Sequence, residues 1–81
     1  MGVTDAEIFG KRIRELREKS GLSQEKLAQK SNLTTGFVST IESGKKTPSL
    51  TTILKLGYGL KVHPSELLSA FTFDVIRKLK L

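Results

Sequence analysis

The run Ser39-Thr40-Ile41-Glu42-Ser43-Gly44-Lys45-Lys46-Thr47 is the first stretch that invites a chemical reading, because hydroxyls, a glycine and two ammonium groups crowd together there. Scanned as a phosphate-cradling loop it fails. Position 39 is not Gly, and Lys45 is followed by Lys46 rather than by Ser or Thr. His63 is the single histidine and there is no cysteine, so thiolate ligands, disulfides and paired imidazoles are all unavailable. Glu15, Glu18 and Glu25 have no apolar pocket around them in the sequence that would tune a general acid or base. No catalytic residue, cofactor or metal site is expected, and the chain reads as a non-enzyme. Binding chemistry remains: short hydroxyls at Thr34, Thr35, Ser39 and Thr40, and cations at Lys45 and Lys46.

The charge balance says what such groups would bind. The 81 residues hold 14 Lys and Arg against 8 Asp and Glu, a net charge of +6. An excess of that sign on a small chain favours nucleic acid or another acidic partner. No block reaches five like charges, so the fold must gather the cations if they are gathered at all. Hydrophobic residues make up 37%, enough for one small core and too many for a disordered tail. One domain over 1–81 is expected, with a core at 5–68 and a C-terminal extension at 69–81. No run approaches the ~20 apolar residues of a spanning helix, so no membrane partner is expected. The first twenty residues are charged and polar, unlike a secretory signal, and the expected compartment is the cytoplasm.

Local signals divide the chain into helices. Thr4 with Glu7 three residues on is a capping box, and Phe9, Ile13 and Leu16 then recur on one helical face. The first helix is expected over 5–20, ended by Gly21 in the left-handed region. Ser23 caps a short second helix with Leu27 and Ala28 as its apolar stripe, and Asn32 tolerates the positive φ that ends it. Thr34 caps a third helix over 35–43, with Val38 and Ile41 facing in and Gly44 after it. Ser49 caps a fourth, with Leu50, Ile53, Leu54 and Gly57 at core spacing. His63-Pro64-Ser65-Glu66 fits the start of a fifth, with Pro64 at the first helical position. The tail is ambiguous. Phe71, Phe73 and Val75 alternate as in a strand, while Val75, Ile76 and Leu79 fit a helix that continues past Asp74. The expected class is all-α, with five helices and at most one short strand.

Two short helices joined by a tight turn form a helix-turn-helix. The spacing Gln24-x-x-Leu27-Ala28-x-x-Ser31-Asn32-Leu33-Thr34, then Val38-Ser39-x-Ile41-Glu42-x-Gly44, suits one position by position. Ala28 is small where the helices cross, Asn32 turns the chain, and Leu33, Val38 and Ile41 leave the other face of the third helix free. This run resembles the phage-repressor and Cro type helix-turn-helix family, called XRE-like. The likeness extends over roughly residues 7–68, through Ile13-Arg14-x-Leu16-Arg17, Gly21-Leu22-Ser23-Gln24, Pro48-Ser49-Leu50 and Pro64-Ser65-Glu66-Leu67-Leu68. The resemblance implies a five-helix lambda-repressor-like domain whose third helix enters the DNA major groove. It also implies a transcriptional regulator that binds a two-fold symmetric operator as a homodimer, with half-sites ~34 Å apart. Small stand-alone members include phage repressors and the controller proteins of restriction-modification systems.

Carried over residue by residue, the resemblance assigns Thr34, Thr35, Gly36, Ser39 and Thr40 to the groove-facing set. It assigns Ser23, Gln24, Lys45, Lys46 and Thr47 to phosphate, and pairs Arg17 with Glu42 to bridge the first and third helices. Lysines at phosphates give affinity without sequence information. The reading stretch holds no Arg, Gln or Asn, so bidentate recognition of guanine or adenine is unavailable there. Readout partly by shape, water and phosphate geometry is expected instead. Phe37 beside Gly36 is expected to stack on sugar or on a thymine methyl. Phe71, Phe73, Val75, Ile76 and Leu79 are read as a self-complementary dimerisation patch, against the alternative that some cover the base of the first helix. A protein-interaction module of the antitoxin kind, using the same fold, is the alternative function.

Overall fold

Thr4 opens the first helix as a two-sided cap. Its hydroxyl accepts from the Glu7 N–H at 3.1 Å, and the Glu7 carboxylate accepts from the Thr4 N–H at 2.8 Å. The same economy recurs along the chain. Ser23, Thr34, Ser49 and Thr72 each accept from a backbone N–H three residues on, satisfying a donor that has no partner within its own helix. The structure is a computed structural model that describes residues 2–81. Its helices are α1 (Asp5–Lys19), α2 (Gln24–Ser31), α3 (Thr35–Glu42), α4 (Leu50–Leu60), α5 (Pro64–Leu67) and α6 (Phe73–Leu79), with no strand among the described residues. Asn32 adopts φ 54° to end α2, and Gly21 and Gly44 take φ 72° and 75° after α1 and α3. His63 caps α5: its Nδ1 accepts from the Ser65 N–H at 3.1 Å.

Phe9, Ile13, Leu27, Ala28, Val38, Ile41, Leu56, Leu60 and Leu67 form the core. They come from α1 to α5, so these five helices position one another. Two crossings need the absence of a side chain. A Cβ on Gly10 would collide with the Ile41 carbonyl, so α1 lies directly on the end of α3. A Cβ on Gly59 would collide with Ser31 Oγ, so α4 lies directly on α2. Gly57 and Gly59 weaken α4 intrinsically, yet the helix continues to Leu60: Gly59 is required by the contact with Ser31, and Gly57 lies close against the Val62 carbonyl and Pro64.

The structure corrects three expectations. Leu50 and Leu54 do not face the core: they are 71% and 50% exposed, while Gly57 is buried as expected and Thr52, Leu56, Gly59 and Leu60 are buried with it. Among the described residues there are six helices rather than five, because Thr72 caps a separate α6 where a strand was the alternative. Phe71 packs against the core instead of joining an open patch.

No residue of α6 is buried. A seven-residue helix is marginal alone, and this one is held by its Thr72 cap and by Asp74 pairing with Arg77 at 2.6 Å and Lys78 at 3.3 Å. Those side chains are mostly exposed, so each pair contributes only about a few tenths of a kcal/mol. The helix-turn-helix stands on a firm base, and α6 lies loosely beside it.

Candidate nucleic-acid interface

The outer face of α3 carries no charge. Thr35, Gly36 and Ser39 are exposed along it, Thr40 is half-buried, and Thr34 is the exposed cap at its start. The inner face is fixed by Val38 and Ile41, which are fully enclosed. Two of these hydroxyls have a defined polarity. Thr34 Oγ1 accepts from the Phe37 N–H at 3.1 Å, which leaves its own O–H free to donate. Thr40 Oγ1 donates to the Gly36 carbonyl at 2.9 Å, which leaves its lone pairs free to accept. The Ser43 hydroxyl donates to the Thr40 carbonyl at 2.9 Å. The face thus offers a donor at its start, an acceptor in its middle and a methyl beside that acceptor.

The loop after α3 brings cations to the edge of this face. Gly44 sits against Glu7 of α1, where a Cβ would lie 2.6 Å from the Glu7 Cγ. The Lys45 N–H donates to the Thr40 carbonyl at 3.2 Å, folding the chain back on α3. Lys45, Lys46 and Thr47 are exposed. The Lys46 ammonium lies 5.7 Å from the centroid of the Phe37 ring. Phe37 is half-buried against the core, so its ring is partly spoken for on both sides.

One carboxylate ties this face to the rest of the domain. Glu42, at the end of α3, accepts from Arg17 Nε at 2.6 Å and from Arg17 Nη2 at 3.1 Å. It also accepts from Gln24 Nε2 at 2.9 Å. Arg17 Nη1 donates to the Leu22 carbonyl at 2.8 Å. The side chains of Arg17 and Glu42 are only 11% and 4% exposed, so the pair is screened from water. Hydrogen bonding to Glu42 raises the Arg17 pKa above its ordinary value, burial opposes this, and the charges of Glu42 and Glu18 add to the rise. Glu42 therefore joins α1, the start of α2 and the end of α3 at one point.

Arg17 and Glu42, paired in the sequence reading, are bridged; of the hydroxyl set, Thr35 and Ser39 are exposed on α3, Thr40 is half-buried and Thr34 is the exposed cap of the helix. Gln24 has a partner within the domain. Its amide is turned onto Glu42, with one N–H engaged and a second left for an outside acceptor. Ser23 is exposed beside it as the α2 cap. Phe73 and Ile76 are exposed on α6, while Val75 and Leu79 are half-buried. The Gln24–Glu42 and Phe37–Lys46 contacts had no signal in the sequence, since each depends on the path of a loop between its partners. Among the described residues, no group of His, Cys, Asp or Glu could hold a metal ion, and no helix is long and apolar enough to cross a membrane.

Comparison with known proteins gives concordant matches. The family model described as helix-turn-helix (HTH_3) matches residues 13–67. The control protein C.BamHI of Bacillus amyloliquefaciens is 41% identical over 66 residues, which is 80% of this chain and 82% of that protein. The transcriptional regulator PuuR of Escherichia coli is 43% identical over 63 residues, 78% of this chain but only 32% of that longer protein. Among solved structures, the restriction-modification controller protein C.AhdI of Aeromonas hydrophila aligns with a TM-score of 0.76 at 48% identity, covering 78% of this chain and 96% of that one.

Proposed function

This chain belongs to the helix-turn-helix family, and on that premise we propose that it is a sequence-specific DNA-binding transcriptional regulator of the controller type, working in the cytoplasm as a homodimer on a two-fold symmetric operator. The observation that carries the reading is the uncharged hydroxyl face of α3 beside the exposed Lys45 and Lys46. The lysines neutralise phosphates, helped by Thr47, Ser23 and the free N–H of Gln24. Thr34, Thr35, Gly36, Ser39 and Thr40 then meet the base edges. With no long polar side chain among them, they read through single hydrogen bonds, a methyl contact and close backbone approach at Gly36. Nothing in this mechanism is catalytic, and it needs no cofactor.

A half-site is all that one such helix spans, so a second copy is part of the proposal. Two apolar surfaces support it. Leu50, Leu54 and Tyr58 recur every fourth residue on the outside of α4. On α6, exposed Phe73 and Ile76 with half-buried Val75 and Leu79 offer a second contact. We assign the main contact to α4, because fixed half-site spacing requires a rigid connection between the two α3 helices and α6 is loosely held.

Selection of bound duplexes from a random pool tests the reading. The expected result is enrichment of two-fold symmetric sites with half-site centres ~34 Å apart or a multiple of it. Recovery of unenriched sequence would refute sequence-specific reading. Strong fixation of several guanines in each half-site would refute the hydroxyl mechanism while leaving DNA binding intact.

A further inference from the structure

Lys45 and Lys46 are neighbours in sequence but sit in different surroundings. Among the described residues, Lys46 is the cation placed over an aromatic ring, 5.7 Å from the Phe37 centroid. That is inside the ~6 Å within which the ring quadrupole attracts an ammonium group. The ring itself is anchored. Phe37 lies in the first turn of α3, its N–H is held by Thr34 Oγ1 at 3.1 Å, and its side chain packs against the core. It also borders a shallow depression with Asn32, Leu33, Thr34 and Thr52. A loop side chain thus lies over an anchored ring in the first turn of α3.

We propose that Phe37 is a positioning residue of the DNA interface, whose ring holds the Lys46 ammonium where a phosphate passes the start of α3. The inference rests on the reading of α3 as the DNA-facing helix. An aromatic ring suits this task better than a carboxylate. It neither cancels the ammonium charge nor takes a directed N–H bond, so both remain for the phosphate. A free lysine gives up rotamer freedom when it is fixed. A lysine already resting on a ring gives up less on binding. The attraction also strengthens when DNA excludes water from the contact, so it favours the complex over the free protein. A ring covered by Lys46 is not available to stack on a sugar or a base, so Phe37 acts on affinity and not on sequence preference.

The test is a double-mutant cycle on the full chain, read by titration against a selected operator and an unrelated duplex. Phe37→Leu is expected to weaken binding to both duplexes by the same factor, about five- to ten-fold per bound protomer, the desolvated minus the exposed cation–ring attraction. In a Lys46→Ala background the same substitution is expected to change nothing further, and Phe37→Tyr is expected to bind as the parent does. In the free protein, the Lys46 Cε protons should show an upfield ring-current shift by NMR. Equal losses with and without Lys46, or a loss confined to the operator, would overturn the proposal. So would an unshifted Lys46 Cε signal, which can be read on the parent protein even if Phe37→Leu does not fold. A parent protein that binds neither duplex overturns the DNA-facing reading and this inference together; binding without coupling overturns this inference alone.

Discussion

Removing the Glu42 carboxylate strikes the point where three helices meet. In Glu42→Ala, Arg17 keeps only its bond to the Leu22 carbonyl, and Gln24 Nε2 loses its acceptor. The guanidinium stays in a site where its side chain is 11% exposed. Breaking a buried ion pair by deleting one partner costs about 3–5 kcal/mol, mainly because the other charge is left uncompensated. A domain of this size has about 4–12 kcal/mol to lose, at roughly 0.05–0.15 kcal/mol per residue. The substitution therefore removes a large share of the total. At about 4–8 °C per kcal/mol for a small domain, the expected fall in Tm is roughly 12–40 °C. Circular dichroism at 222 nm, followed through heating and urea, measures it. The deficit should shrink in Arg17→Met with Glu42→Leu, because the stranded charge is then gone as well. The Arg17 pKa is raised in the folded state. Its contribution is therefore fully present below the unfolded value and is lost only as pH rises through the folded one, so raising pH from about 7 to 10 should not erode it. A loss under about 1 kcal/mol for Glu42→Ala, or a double variant worse than the sum of the singles, would refute the claim that this carboxylate holds α3 in place.

Other outcomes follow from the same geometry. Lys45→Ala with Lys46→Ala should weaken binding on every sequence and flatten the plot of log affinity against log salt by about one unit per lost contact per protomer, whereas Thr40→Val should change the preferred sites; filter binding over a salt series separates the two effects. Gly59→Ala forces a methyl into Ser31 Oγ and should cost about 1–3 kcal/mol in urea melts, while Ser31→Ala, which removes a buried hydroxyl with no partner, should be close to neutral and should soften the Gly59→Ala loss. Leu54→Glu puts a charge in the middle of the outer α4 stripe and should yield monomers by analytical ultracentrifugation with weakened operator binding. Truncation after Ser69 should reduce pairing less, and the reverse order would move the dimer contact to α6.

What the sequence reveals here follows from how far apart the interacting groups lie. Helix starts were legible at Thr4, Ser23, Thr34 and Ser49 because a cap is a bond across three residues, and the type of one side chain announces it. The ends at Gly21, Asn32 and Gly44 were legible because few residues accept a positive φ. The buried face of α4 was not. Leu50, Ile53, Leu54, Leu56, Tyr58 and Leu60 put apolar groups on nearly every side, so helical spacing selects no single face. What selects it is the contact of Gly59 with Ser31, which turns Leu56 and Leu60 inward and leaves Leu50, Leu54 and Tyr58 outside. The interface divides in the same way. The hydroxyl face of α3 is local periodicity and could be read directly. Which hydroxyl donates, where Gln24 points and what lies beneath Lys46 depend on tertiary geometry. Those details separate affinity from sequence reading in the proposed mechanism. Changing Lys46 or its ring should alter how tightly any duplex is held, and changing Thr40 should alter which one is chosen.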